Sequence, residues 1–318
     1  MQILVYYPFT PEQVQAFREL GEANGHQVHF AENEDQACAV AKDVEVILGY
    51  FPPAVCAAAP GLRWIQSFSA GMDKFLFPEI IERDDVMVSN VAGLYASQGA
   101  EHAWAFALAL ARQIPLALNG KKEHSWTRGM SVVELTGGTL GIIGMGGFGI
   151  EMVKRAQGYD MDIIAVDAVR TEAPAGVQEL LPSTKENIHS LIARSDVVMT
   201  ACPLTAETYH LIGEEEFKLM KPTAYFVHVT RGGIVDEPAL VRALEAGELA
   251  GAGLDVTEIE PLPADSPLWD APNLILTPHR AGGSQHRPRK IFEFFMANLE
   301  RYLGGERPVN VVDKRRGF

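Results

Sequence analysis

Short apolar runs alternate with polar, helix-like segments along the first third of the chain. Within residues 11–24, Val14, Phe17 and Leu20 recur at helical spacing. Strands separated by helices are joined by crossover connections, so this alternation predicts a parallel sheet with helices on its faces. The strands predicted here cover residues 3–7, 27–31, 44–50, 62–68 and 86–91.

A second series of strands follows the segment 101–113, which is rich in alanine and leucine and apolar on nearly all sides. Such a segment predicts a buried helix, and we place a domain boundary near it. Six later runs at crossover intervals predict another doubly wound sheet, so the fold class is α/β with two parallel-sheet domains. These runs cover residues 139–144, 162–167, 196–202, 224–229, 251–256 and 274–277.

The last amphipathic pattern predicts a helix over residues 286–303, and Pro308 ends the pattern. The periodicity alone does not say on which of the two domains this helix packs. The positions expected to face the core are Ile291, Phe294, Phe295, Ala297 and Leu299.

Composition and charge exclude several classes of function. The 318 residues are 47% hydrophobic and 21% charged, which is typical of a globular protein of about two domains, each large enough to bury a core without disulfides. The net charge of −14 disfavours duplex nucleic acid and anionic membranes as partners, because both require a basic face.

The cysteines, Cys38, Cys56 and Cys202, are widely spaced and form no Cys-x-x-Cys pair. We therefore expect reduced thiols, no metal site and a cytoplasmic protein. The first residues lack the features of a signal peptide and are typical of a strand. The longest helical apolar run, residues 103–111, is well below the ~18 residues that span a bilayer, so no membrane segment is expected.

A glycine-rich segment, Gly144-Met-Gly-Gly-Phe-Gly149, directly follows one of the predicted strands and precedes a helical run from Ile150. In a dinucleotide-binding turn, Gly144 makes the tight bend, Gly146 lets the backbone approach a pyrophosphate, and Gly149 permits close packing of helix on strand. The helix N-terminus then offers N–H groups to the phosphates. The alternative is a glycine-rich turn without a ligand.

Asp167 closes the next predicted strand, where an acidic residue accepts hydrogen bonds from the adenosine ribose and repels a 2′-phosphate. This position predicts NAD as the cofactor, with NADP less favoured. Arg170 lies three residues further on and would weaken the repulsion if its side chain pointed inward. As an ordinary solvated arginine it would have no such effect.

Several ordered blocks of the chain, from about residue 61 to its end, strongly resemble the D-isomer-specific 2-hydroxyacid dehydrogenase family. The principal matches are residues 144–149, 230–237, 251–256, 260–263 and 277–279, with further ones at 67–73, 100–102, 202–208 and 266–269. The resemblance implies a Rossmann nucleotide-binding domain, residues 99–283, inserted into a flavodoxin-like substrate domain, residues 1–98 and 284–318. It also implies a homodimer with an interdomain active site, and Trp126 lies where family dimers exchange an arm.

The family's catalytic residues map by this resemblance to Arg231, Glu260 and His279. A guanidinium at Arg231 would bind a carboxylate by two hydrogen bonds and polarise the neighbouring carbonyl. His279 would donate a proton to the carbonyl oxygen as general acid. Glu260 would fix the tautomer of the histidine and raise its pKa. Considered singly, each would more often be a solvated charge or a structural histidine.

The remaining assignments are implied by the same resemblance. Asp255 matches a nicotinamide-contacting residue, although it is also suited to capping the following turn. Arg280 is either a solvated side chain or a second contact for an anionic substrate. The expected substrate contacts are Ser69, Ala70, Gly71, Phe51 and Arg231. The expected cofactor contacts are Gly144, Met145, Gly146, Gly147, Phe148, Gly149, Asp167, Cys202, Pro203, Thr230 and Asp255.

We therefore expect an NAD-dependent enzyme that interconverts small D-2-hydroxy acids and 2-oxo acids. Glyoxylate or hydroxypyruvate is the first expectation for the substrate, while D-lactate or a phosphorylated acid stays open. The alternative function is an NAD-sensing corepressor of the same fold. Such a protein would bind NADH with little turnover and would need a groove for a partner peptide, which the sequence does not identify.

Overall fold

The computed structural model describes residues 1–126 and 128–317 of the chain. The chain divides into two compact units, with junctions between Tyr95 and Ala96 and between Gly283 and Ser284. The first unit is therefore built from both ends of the described chain, and the second from a single continuous segment.

Strands and helices alternate along the chain. The strands are β1 (Gln2–Tyr6), β2 (Gln27–Phe30), β3 (Val44–Gly49), β4 (Trp64–Ser67), β5 (Met87–Ser89), β6 (Thr139–Ile143), β7 (Asp162–Asp167), β8 (Glu179–Pro182), β9 (Val197–Thr200), β10 (Tyr225–His228), β11 (Gly251–Leu254) and β12 (Leu274–Leu276). The α-helices are α1 (Pro11–Ala23), α2 (Glu34–Val40), α3 (Pro53–Ala58), α4 (Pro78–Ile81), α5 (Ala96–Ala111), α6 (Ile114–Lys122), α7 (Gly147–Ala156), α8 (Lys185–Arg194), α9 (Glu214–Leu219), α10 (Glu237–Ala246) and α11 (Arg287–Leu303).

The first unit contains a five-stranded parallel sheet in the order β2-β1-β3-β4-β5. Its central strands are buried on both faces. Ile3 and Val5 of β1 pack with Phe295 of α11, while Leu4 packs with Ile47 and the opposite helices. The chain's last helix therefore completes the core of the unit that the first residues begin.

Helix α11 differs from its predicted inward face at one position. Ala297 is exposed, whereas Asn298 is buried and donates a hydrogen bond from Nδ2 to Oε1 of Gln66 at 2.6 Å. The apolar periodicity missed Asn298 because a polar residue is buried only when a partner satisfies it, and that partner lies far away in the sequence.

The second unit contains a seven-stranded parallel sheet in the order β12-β11-β10-β9-β6-β7-β8. The prediction of two doubly wound parallel sheets is confirmed. The prediction missed β8, a four-residue edge strand that is only partly buried and ends in proline, so it shows little apolar pattern. The strand order reverses at β6 and β9, and in such sheets ligands bind beyond the carboxyl ends of the strands at this point.

Helix α5 begins at the first junction, and its buried residues are part of the core of the second unit. It packs closely on α7 because Gly99 has no side chain: a Cβ there would lie 2.1 Å from the ring of Phe148. No helix in the described part of the chain is both long and apolar enough to cross a membrane.

Candidate active site

Glycines shape the turn that follows β6. Gly144 has φ +102°, and a Cβ there would lie 2.6 Å from the amide nitrogen of Cys202. A Cβ on Gly149 would lie 2.4 Å from the carbonyl oxygen of Gly144. By contrast, a Cβ on Gly146 would meet no described atom within 4 Å. The turn is therefore tightly packed on one side and open at Gly146.

Helix α7 begins at Gly147, and the first N–H groups of a helix have no acceptor within it. Such groups are suited to bind an anion at the open side of the turn. The side chain of Phe148 is used differently, since its ring packs on Gly99 of α5. The predicted cofactor contact at Phe148 is therefore restricted to its backbone amide, which lies in the first turn of α7.

Asp167 and Arg170 are both attached to the glycine-rich turn. The carboxylate of Asp167 accepts hydrogen bonds from the amides of Met145 at 2.6 Å, Val169 at 2.8 Å and Arg170 at 2.6 Å. The Nε of Arg170 donates to the carbonyl oxygen of Met145 at 3.0 Å. The guanidinium therefore points toward the turn rather than into solvent alone, and it places a positive charge beside the acidic one.

This arrangement fits a nicotinamide dinucleotide. Oγ1 of Thr230 is buried and has no hydrogen-bond partner among the described residues. A buried polar atom is rarely left unsatisfied, so this hydroxyl indicates a ligand group. Thr230 lies in the same unit as the open Gly146 and the hydrogen-bond acceptor Asp167. The backbone amide of Cys202 packs closely on Gly144. The carbonyl oxygen of Pro203 accepts a hydrogen bond from the hydroxyl of Thr208.

The side chains of Glu260 and His279 form a direct pair. Nδ1 of His279 lies 2.9 Å and 3.1 Å from the two carboxylate oxygens of Glu260. Because a carboxylate accepts, Nδ1 carries the proton, and Nε2 is left for another partner. The side chain of His279 is 46% exposed, and its backbone adopts a left-handed conformation with φ +51°. The pair is therefore both ordered and accessible.

Asp255 holds the loop that carries His279. Its buried carboxylate accepts hydrogen bonds from the Thr277 hydroxyl at 2.5 Å and from the amides of Arg280 at 2.8 Å and Ala281 at 2.7 Å. His102 in turn lies 2.8 Å from the same hydroxyl. The structure therefore favours the turn-bracing alternative over the nicotinamide contact predicted for Asp255, because its side chain has no exposed surface.

Arg231 lies on the turn that follows β10. A short 3-10 helix, Gly232–Ile234, begins immediately after it, and Nη1 of Arg231 donates to the carbonyl oxygen of Thr230 at 2.8 Å. A Cβ on Gly232 would lie 2.0 Å from the carbonyl carbon of Thr257. The arginine turn therefore packs directly on the segment that leads to Glu260.

The predicted substrate loop of the first unit has fewer available amides than expected. The amide of Ser69 donates to Oγ of Ser67 at 3.1 Å, which removes it as a donor to a ligand. Within the described residues, the amides of Ala70 and Gly71 have no acceptor. Nδ2 of Asn90 donates to the carbonyl oxygen of Ala70 at 2.9 Å and holds the loop from below. Two of the three predicted amide donors remain.

Phe51 was expected to line the substrate pocket, but the structure buries it to 4% exposure, with its ring 6.0 Å from that of Phe75. β3 ends at Gly49, where φ is +116°, and the bend turns Tyr50 outward and Phe51 into the core. Elsewhere, Trp126 and Arg280 are exposed.

Sequence reasoning missed the polar residues that support these loops, notably Asn90, Thr200 and His228. Each is buried at the end of an otherwise apolar strand or just after it. That position was the available signal, because a polar side chain in a buried strand requires a hydrogen-bond partner.

Comparison with known proteins places the chain in a family. The model of the NAD-binding domain of the D-isomer-specific 2-hydroxyacid dehydrogenases matches residues 104–281. The chain belongs to this family. Its activity is therefore hydride transfer between a nicotinamide cofactor and a small 2-hydroxy or 2-oxo acid.

Individual relatives agree with this assignment. A glyoxylate reductase of Korarchaeum cryptofilum is 38% identical over 268 residues, covering 82% of this chain and 79% of that one. The crystal structure of a family protein from Aeromonas salmonicida has a TM-score of 0.83 at 30% identity, covering 98% of this chain and 99% of that one. An NADPH-dependent glyoxylate/hydroxypyruvate reductase of Sinorhizobium meliloti, in complex with NADP and sulfate, has the same TM-score at 26% identity, covering 100% and 99%.

Proposed function

We propose that this protein reduces glyoxylate to glycolate, or hydroxypyruvate to D-glycerate. The observation that carries the proposal is the Glu260–His279 pair, with Nδ1 bonded to the carboxylate and Nε2 accessible. The names of the relatives support short 2-oxo acids as the substrate class. When bound, the nicotinamide supplies the hydride to the carbonyl carbon.

His279 supplies the proton for this reduction. Its Nδ1–H is held by Glu260, so the protonated ring presents its second proton at Nε2. Transfer of that proton to the carbonyl oxygen completes the hydroxyl group, and the neutral ring takes it back in the oxidation direction. Glu260 holds the ring in place through its hydrogen bonds with Nδ1. The left-handed backbone of His279 is held by Asp255, which keeps the ring in place.

Arg231 binds the acid. A guanidinium forms two parallel hydrogen bonds with a carboxylate, which fixes the orientation of the carbonyl group. Its backbone is held against the Thr257 segment, so the arginine and the Glu260–His279 pair belong to one packed set of loops.

NAD is the proposed preferred cofactor. Asp167 supports it, because a carboxylate at the end of β7 repels a 2′-phosphate. Its bonds to three amides leave an acceptor position for a ribose hydroxyl. Arg170 lowers the discrimination, since its charge lies at the same turn. We therefore propose a preference for NADH that is moderate rather than strict.

A homodimer in the cytoplasm is proposed for the assembled protein. Helix α6 exposes Ile114, Leu116 and Leu118, and Trp126 beyond it is 86% exposed. A run of exposed apolar side chains is typical of a protein–protein interface. The free cysteines favour a reducing compartment.

Replacement of the proton donor tests the proposed function. We expect His279→Ala to lower kcat for glyoxylate by ~10²–10⁴, the usual loss on removing a general acid. Glu260→Gln should lower kcat less, because the ring remains present. The matched control is His26→Ala, a partly exposed histidine between α1 and β2. Steady-state kinetics with NADH give both values, and an undiminished kcat in His279→Ala would refute the assignment.

A further inference from the structure

His228 is a histidine that the mechanism above does not use, and it is completely buried in the second sheet. It is the last residue of β10, where the parallel register places it opposite Thr200 of β9 and Leu254 of β11. Its ring lies on the same face as Phe226, with the centroids 6.3 Å apart. A polar ring at such a position requires partners for both of its nitrogens.

Both nitrogens have a partner. Nε2 lies 2.7 Å from the carbonyl oxygen of Arg231, and Nδ1 lies 2.5 Å from Oγ1 of Thr200. A carbonyl oxygen only accepts, so Nε2 carries the hydrogen. Burial lowers the pKa of His228 to about 4, so the ring is neutral near pH 7. Nδ1 is then an acceptor, and the Thr200 hydroxyl donates to it.

We propose that His228 is a positioning residue for Arg231. Its ring holds the carbonyl group of the arginine from inside the sheet and so fixes the direction in which the guanidinium leaves the turn. The same carbonyl oxygen also accepts the amide of Ile234 at 3.2 Å, which closes the 3-10 turn. The inference rests on the proposed role of Arg231 in binding the substrate carboxylate.

The next residue is held from the other side. Gly232 packs so closely on Thr257 that no side chain fits between them. The peptide group between Arg231 and Gly232 is therefore fixed by His228 beneath it and by the Thr257 segment beside it. Loss of the Nε2 donor would let this peptide group rotate and move the guanidinium. A displacement of about 1 Å can cost up to ~10²-fold in activity.

Two substitutions separate the two hydrogen bonds of the ring. His228→Gln places an amide near the position of Nε2 and can still donate to the Arg231 carbonyl. His228→Asn places its amide near the position of Nδ1, within reach of Thr200 but not of Arg231. We expect His228→Asn to raise KM for glyoxylate about tenfold. The dissociation constant for NADH, followed by fluorescence, should change less than twofold, and His228→Gln should recover most of the loss in KM.

An Arg231→Ala background tests whether His228 acts through the arginine. There, His228→Asn should produce no further rise in KM, because the group that it positions is gone. If Arg231→Ala alone leaves KM and kcat unchanged, the proposed role of Arg231 fails. If Arg231→Ala raises KM while His228→Asn in the wild-type background does not, only the present inference is overturned.

A merely structural role gives a different pattern. In that case the Asn and Gln variants would lose activity in proportion to the fall in their melting temperatures. NADH binding would also weaken as KM for glyoxylate rises, and this pattern would overturn the inference. Should His228→Asn fail to fold, Thr200→Val removes the hydroxyl that holds Nδ1 of the ring while preserving shape. We expect it to raise KM for glyoxylate about threefold, roughly 0.7 kcal/mol. A KM equal to that of the wild type would overturn the proposal.

Discussion

Asp167 and Arg170 both bind the glycine-rich turn, and we propose that they act in opposite directions on the choice of cofactor. We expect Asp167→Ala to lower the ratio of kcat/KM for NADH over NADPH roughly tenfold, about 1.4 kcal/mol, because the repulsion of a 2′-phosphate is removed. Arg170→Ala is the matched variant and should raise the ratio. Kinetics with both cofactors at saturating glyoxylate give the two values. A change in the same direction for both variants would contradict the proposed roles.

At this scale the sequence predicted residue identities better than hydrogen-bond partners. The positions Arg231, Glu260 and His279 follow from motifs, and the structure pairs the last two directly. The use of Ser69 did not follow, and the use of Asp255 followed only as the alternative of capping the next turn. Their partners, the Ala281 loop and Ser67, depend on how the chain folds back locally, which residue type alone does not specify.

The carboxyl end of β10 carries a buried histidine, His228, whose ring is hydrogen-bonded to the backbone of Arg231 in the following turn. The pKa of His228 is about 4 in the folded protein, below its ordinary value of 6.5, because burial penalises the charged ring. The unfolded chain therefore binds the proton more readily. The contribution of His228 to the free energy of unfolding is therefore greatest above about pH 6.5. It falls by about 3 kcal/mol as the pH drops to about 4.

This titration predicts a pH-dependent difference between two proteins. The free energy of unfolding of the wild type should fall more steeply between pH 6.5 and pH 4 than that of His228→Gln, because glutamine does not titrate. Urea unfolding at several pH values measures both curves, and the carboxylates contribute equally to each. Parallel curves would show that His228 is not the buried neutral group described here.

Helices and strands with a strong apolar periodicity are predictable from the sequence. Features that depend on a distant hydrogen-bond partner or on a place at the edge of a sheet are not. The central strands appear as continuous apolar runs because they are buried on both faces. β8 shows no such run, since it lies at the edge of its sheet. In α11, the buried Asn298 interrupts the apolar stripe that was used to predict its inward face.

The whole molecule has a net charge of −14, which disfavours the binding of the anionic ligands proposed here. Arg231, Arg170 and the start of α7 all lie in the second unit, and we propose that they supply a local positive potential there. The composition predicted two domains. The assembly of one unit from residues near both ends was implied by the family resemblance, since apolar periodicity does not show which sheet a terminal helix covers.

The proposed activity is the reduction of short 2-oxo acids with a nicotinamide cofactor. Its most direct test is a panel of glyoxylate, hydroxypyruvate and pyruvate, each assayed with NADH and NADPH by the loss of reduced-nicotinamide absorbance. We predict turnover of glyoxylate or hydroxypyruvate, with NADH the better cofactor and the D-isomer as the product of hydroxypyruvate. Binding of NADH without turnover of any acid with either cofactor would contradict the claim and favour a corepressor-like binding protein.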